Sequence, residues 1–124
     1  RESGILMPVS SLPGPYGIGC FGKAAFQFVD FLLRQDNDLA AAAAQPTGYG
    51  DSPYQSFSTY AGNPYFIDLD TLAAQGLLKP KEYKHIDWQC TPEQINYGAL
   101  YEKRYAVLRT ACERLLAAPP ADYR

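Results

Sequence analysis

The segment from Pro46 to Tyr65, PTGYGDSPYQSFSTYAGNPY, restricts this chain more than any other stretch. Glycine and proline punctuate it too densely for a helix or a long strand, so it reads as an irregular loop. It nevertheless carries Tyr49, Tyr54, Tyr60 and Tyr65, a single acid, Asp51, and no basic residue. Rigid aromatics on a loop suggest a surface built to hold something. Tyrosine offers a flat apolar face and a hydroxyl, which suits a ligand with C–H faces and hydroxyls, such as a sugar.

The rest of the chain must supply a scaffold for that loop. At 124 residues there is enough chain for one modest core. Net charge is −2 with neither sign gathered into a run, which argues against nucleic acid or an anionic membrane as partner. No apolar run approaches the ~20 residues of a membrane span, and the start of the chain is too short and proline-interrupted for a signal peptide. Cys20, Cys90 and Cys112 show neither metal-ligand spacing nor a disulfide framework, and read as reduced cysteines of a cytoplasmic protein.

Along the chain, Gly4–Val9 is a short apolar run that reads as a buried strand, with Pro8 marking its end or a bulge. Ser10–Gly19 is a second Gly/Pro loop with one exposed aromatic, Tyr16. From Gly22 to Arg34, Ala25, Phe28, Val29 and Leu32 recur at helical spacing. Strand, loop and helix in series open an α/β fold, whose next strand is due between Arg34 and Pro46. There stand Ala40 to Ala44, five alanines of poor β propensity and good helix propensity. Either a helix extends through them or larger residues have been replaced.

Tyr65–Leu69 reads as a strand end or an extended segment. Asp70 caps a short helix over Thr71–Gln75, closed by Gly76. Leu77–Asp87 is charged and irregular. Thr91-Pro92-Glu93-Gln94 has the spacing of a capping box. Beyond it, Tyr101, Tyr105, Leu108, Cys112 and Leu115 form an apolar stripe on a helix from about Tyr97 to Leu116.

Chemistry is sparse. His85, the only histidine, sits in a charged turn, and a solvated side chain is the simplest reading. No nucleophile-elbow pattern accompanies any serine. The glycines of Gly14–Gly19 lack both a full phosphate-loop pattern and a following lysine. Glycosidic chemistry needs two carboxylates about the scissile bond. Asp51 alone does not supply them, and Asp68 and Asp70 have the context of caps and turns. Tyr60 and Tyr65 read as packing residues, Tyr49 and Tyr54 as ligand contacts, and Asn63 as a turn former.

Three motifs, SSLPGPYGIG at 10–19, PTGYGDSPYQSFS at 46–58 and AGNPYFID at 61–68, together with NYGALY at 96–101, resemble in this order the amino-terminal part of the 4-α-glucanotransferases. These are the amylomaltases or disproportionating enzymes, glycoside hydrolase family 77 of the α-amylase clan. The resemblance covers nearly the whole chain. It implies an α/β fold in which 1–124 is the incomplete amino-terminal portion of a (β/α)8 TIM barrel, with 77–124 the start of an inserted helical subdomain. The implied activity is transfer of α-1,4-glucan segments to the 4-hydroxyl of an acceptor, with retention. The catalytic aspartate and glutamate would lie outside this chain, so no catalytic residue is assigned within it.

Carried over by motif, Tyr54 matches a tyrosine that stacks on sugar at the cleavage subsite. Asp51 and Ser52 match cleft-lining residues, and Tyr49 and Tyr101 match aromatics of a second glucan groove. The resemblance implies no metal or cofactor, and α-1,4-glucans as the partner. The alternative is a non-catalytic carbohydrate-binding module that uses the tyrosine loop. The alanines depart from the family, which carries a buried strand with an aromatic pair and a Leu-Pro-Leu-like run there. Each large-to-alanine change in a core costs about 2–5 kcal/mol. We therefore read the alanines as standing where larger residues belong. They mark either residues that were not identified or an alteration of the natural sequence, and sequencing that returned five genuine alanine codons would overturn the first.

Overall fold

The computed structural model describes residues 4–34, 38–42, 58, 60–91 and 93–119. The chain forms two compact units, Arg1–Ile67 and Asp68–Arg124, each taken by itself below.

The first unit is built on a parallel strand pair. Strand β1, Gly4–Pro8, ends at its proline, which has no N–H to continue a ladder, and it is not the buried strand expected: Gly4, Ile5 and Leu6 are exposed and Met7 and Pro8 half-buried. A single 3-10 turn, Val9–Ser11, follows. Helix α1, Lys23–Leu33, then returns the chain to β2, Asp38–Ala42. The strands pair in parallel from Gly4 opposite Asp38 to Pro8 opposite Ala42. Parallel neighbours require a crossover, which α1 provides, so this is the strand–loop–helix–strand order expected of an α/β fold. The alanines through Ala42 are therefore strand and not helix: pairing along β1 overrides their local preference. Ala43 and Ala44 lie outside the described residues.

The loop from β1 to α1 is tighter than its composition suggests. Tyr16 and Ile18 are buried, which corrects the expectation of an exposed aromatic at Tyr16. Gly19 packs so closely that a Cβ there would run into the carbonyl oxygens of Val9 and Leu12. On α1, Leu32 is fully buried and Ala25 and Phe28 half-buried, whereas Val29 lies at the exposed border. Phe26, Phe31 and Leu33 are exposed.

Residues Pro64–Phe66 form a 3-10 turn and not an extended segment, because the Asn63 side chain accepts a bond from the Tyr65 N–H at 2.9 Å. Tyr65 and Phe66 are buried. The Phe66 ring meets Phe21 edge-on at 5.9 Å, and its carbonyl accepts from the Phe21 N–H at 2.9 Å.

The second unit is helical. Helix α2, Leu69–Ala74, begins two residues earlier than expected. Asp68 is the cap, accepting from the Thr71 N–H at 2.9 Å and the Thr71 hydroxyl at 2.7 Å. Asp70 instead accepts from the buried Tyr83 hydroxyl at 2.6 Å. Gly76, at φ 78°, ends the helix as expected. A 3-10 turn, Pro80–Glu82, lies in the charged stretch that follows.

The capping-box expectation fails at Thr91. Thr91 and Gln94 exchange backbone hydrogen bonds, and the Thr91 hydroxyl accepts from the Glu93 N–H at 3.3 Å, so the segment closes as a turn. Asn96 caps the real helix, its side chain accepting from the Ala99 N–H at 3.0 Å. Helix α3, Tyr97–Ala99, runs through a π turn, Leu100–Arg104, into α4, Tyr105–Ala117.

Candidate functional site

Tyr101 is the one proposed site residue whose placement the structure describes; Tyr49, Asp51, Ser52 and Tyr54 lie outside the described residues. It stands on the π turn with its side chain 68% exposed. Tyr105, one turn on, meets it edge-on, with ring centroids 5.4 Å apart and planes at 65°. The two rings form one aromatic surface. Burial raises the Tyr105 phenol above its ordinary value, and Tyr101 adds to the rise, so the neutral hydroxyl is favoured there.

The buried side of this helical run lies one residue earlier than the expected stripe. Leu100, Arg104, Val107 and Ala111 are buried, whereas Tyr101, Tyr105 and Cys112 are exposed and Leu108 and Leu115 half-buried. A one-residue shift is about 100° around an α-helix. Leu100, Arg104, Val107 and Ala111 have the same helical spacing, but the charge at Arg104 interrupts them as an apolar stripe. Arg104 is fully buried, and its guanidinium lies 5.9 Å from the centre of the buried Trp88 ring. Beside it, Lys103 Nζ donates to the Asp87 carbonyl at 2.6 Å. Two neighbouring residues of the π turn are thus tied to Asp87–Trp88. The sequence signal was there: Leu100, Val107 and Ala111 leave a gap that Arg104 fills, opposite the only tryptophan.

Further along, Arg114 grips Glu82 through its two terminal guanidinium nitrogens, at 2.6 and 2.8 Å, and donates to the Leu77 carbonyl at 3.0 Å. The Arg114 bonds, then the Lys79 N–H, lower the Glu82 carboxyl from 4.5 to about 2. A groove of about 610 Å³ runs between this region and the π turn, with Leu78, Ile86 and Val107 among its apolar lining and His85, Asp87 and Glu102 among its polar one. His85 is exposed, as expected. Among the described residues no group of three His, Cys, Asp or Glu side chains could hold a metal, and no helix is long and apolar enough to cross a membrane. Cys20, Cys90 and Cys112 form no disulfide, Cys20 being buried and the other two exposed.

Tyr60 and Tyr65 divide. Tyr65 packs inside as expected, but Tyr60 is fully exposed and does not pack. Asp68 caps α2 and Asp70 accepts from the Tyr83 hydroxyl, the kind of capping and local structural roles their context suggested.

The chain is similar to known proteins over most of its length. The family model for glycoside hydrolase family 77, 4-alpha-glucanotransferase, matches residues 7–123. A 4-alpha-glucanotransferase of Streptococcus pneumoniae is 47% identical over 115 residues, which are 92% of this chain and 23% of that protein. The enzyme of Thermus thermophilus is 42% identical over 113 residues, 90% of this chain and 21% of its own. Among solved structures, an amylomaltase from Streptococcus agalactiae in complex with acarbose superposes with a TM-score of 0.90 at 43% identity, over 96% of this chain and 24% of that one. The chain thus spans about a quarter of the length of the relatives it matches. It belongs to glycoside hydrolase family 77, the 4-alpha-glucanotransferases.

Proposed function

We propose that this chain is the amino-terminal part of a cytoplasmic 4-α-glucanotransferase and forms walls of its glucan-binding surface. The match of residues 7–123 to the family, at a TM-score of 0.90 to an amylomaltase, carries the reading. The β1–α1–β2 unit is the opening of a (β/α)8 barrel, and the helical stretch over 77–124 begins an inserted subdomain. The enzyme transfers α-1,4-glucan segments with retention: a carboxylate outside this chain forms a glycosyl-enzyme, a second acts as acid and base, and a sugar hydroxyl displaces the nucleophile. Tyr54, Asp51 and Ser52 line the cleft. Tyr49 and Tyr101 belong to a second glucan groove, and the exposure of Tyr101 supports that role. A free-standing carbohydrate-binding module is not favoured, since the matched relatives are glucanotransferases about four times longer.

Disproportionation of maltotriose by the full-length polypeptide tests this. Tyr54→Ala is expected to lower kcat/KM roughly tenfold or more, about 1.4 kcal/mol or above, without lowering the melting temperature. Unchanged kinetics in that variant would reject the role of Tyr54, and a full-length polypeptide that only binds maltotriose would reject the transferase.

A further inference from the structure

We propose that Tyr105 is a positioning residue for Tyr101, fixing the ring that the second glucan groove presents. The inference rests on the glucan-contact reading of Tyr101 and goes beyond it.

Its basis is the way the turn is held. A stacking ring on a mobile side chain must be ordered when the sugar arrives, a loss of freedom that weakens binding roughly two- to tenfold. Tyr101 avoids part of that loss. Its ring meets Tyr105 edge-on at 5.4 Å, and Tyr105 is the less exposed of the two, 37% against 68%. The inner ring therefore backs the outer one, and the outer one keeps its open surface for a ligand.

The backbone beneath is fastened as well. Both tyrosines flank residues of the π turn, the kind of irregularity that is frequent at functional sites. Lys103 is bonded to the Asp87 carbonyl, and Arg104 is buried beside the Trp88 ring. These ties come from a different segment and act on residues between the two tyrosines. The turn that carries Tyr101 is thus fixed from below, and its ring is fixed from the side. Glucan chains alternate apolar C–H faces with hydroxyls, so a ring held at one angle selects one face of one residue.

The test compares long and short substrates in the full-length enzyme, with amylose and maltotriose as probes. Tyr105→Ala is expected to raise the ratio of the amylose KM to the maltotriose KM about two- to tenfold. Tyr105→Phe keeps the edge-on ring and restores the parent ratio, whereas Tyr105→Leu, apolar but without a ring, does not. The proposal is overturned if Tyr105→Leu restores the ratio as well as Tyr105→Phe, since simple packing would then suffice. It is also overturned if Tyr105→Ala leaves the ratio unchanged while Tyr101→Ala raises it, in which case the glucan contact stands without a positioning partner. If Tyr101→Ala itself leaves the ratio unchanged, the glucan contact fails and the positioning role falls with it.

Discussion

At Arg104 a guanidinium is enclosed under a helix, beside the indole of Trp88. Much of such a side chain's contribution is its aliphatic stem, and the planar head adds attraction to the ring face. Arg104→Ala is therefore expected to destabilise the full-length protein by about 2–4 kcal/mol, as truncation of a large buried side chain does. Arg104→Met, which keeps the stem, should lose less; equal losses in thermal or urea unfolding would assign the effect to the indole contact. Gly19 makes an opposite demand, for no side chain at all. Gly19→Ala pushes a methyl into two backbone carbonyls, and a loss of about 1–3 kcal/mol is expected from the overpacking. Both residues show what a sequence hides. The loop glycine was legible as a turn former, but its close approach to Val9 and Leu12 depends on how the chain folds back. The arginine was masked, because charge at a helical position ordinarily means solvent, although Leu100, Val107 and Ala111 leave the gap that it fills.

Elements were legible where local pattern and tertiary demand agree. Helix α1 and strand β1 fall where periodicity places them, and the next strand lies in the gap where an α/β order requires it. Its alanines gave no local hint, since a strand partner comes from elsewhere in the chain. At 91–97 the capping-box spacing pointed to Thr91, and the structure uses Asn96 instead. Thr91 spends its hydroxyl on Glu93, and Asn96 starts the helix. The Arg114–Glu82 clasp joins α4 to the turn at Pro80–Glu82 and gives the second unit a pH signature. A carboxyl lowered on folding stabilises fully above its unfolded value, 4.5 here, and loses that contribution as pH falls toward about 2. Glu82→Gln is expected to lower the melting temperature at neutral pH and to flatten its decline between those limits. A variant with the parent's acid profile would show that the pair contributes nothing. Both side chains are partly open to water, so high salt should shrink the difference as well.

On the scale of the whole molecule, α1 packs against β2 of the parallel pair β1–β2 among the described residues. Parallel sheets are ordinarily covered on both faces. Leu6, Phe26, Phe31 and Leu33 are left more than half exposed, and the chain spans about a quarter of its relatives. The isolated 124-residue chain is therefore expected to aggregate or to melt without cooperativity. A sharp, reversible, monomeric transition would show instead that it is self-sufficient. The family was legible in its loop motifs, where backbone constraints write glycine and proline into the sequence. The aromatic pair was not, because it depends on which side of a helix faces inward. Helix α1 carries apolar residues on more than its buried side, with a further consequence during synthesis. While the rest of such an enzyme is still being translated, Phe26, Phe31 and Leu33 form a segment that a chaperone would hold, so the yield of active enzyme should depend on chaperone supply before it depends on intrinsic stability.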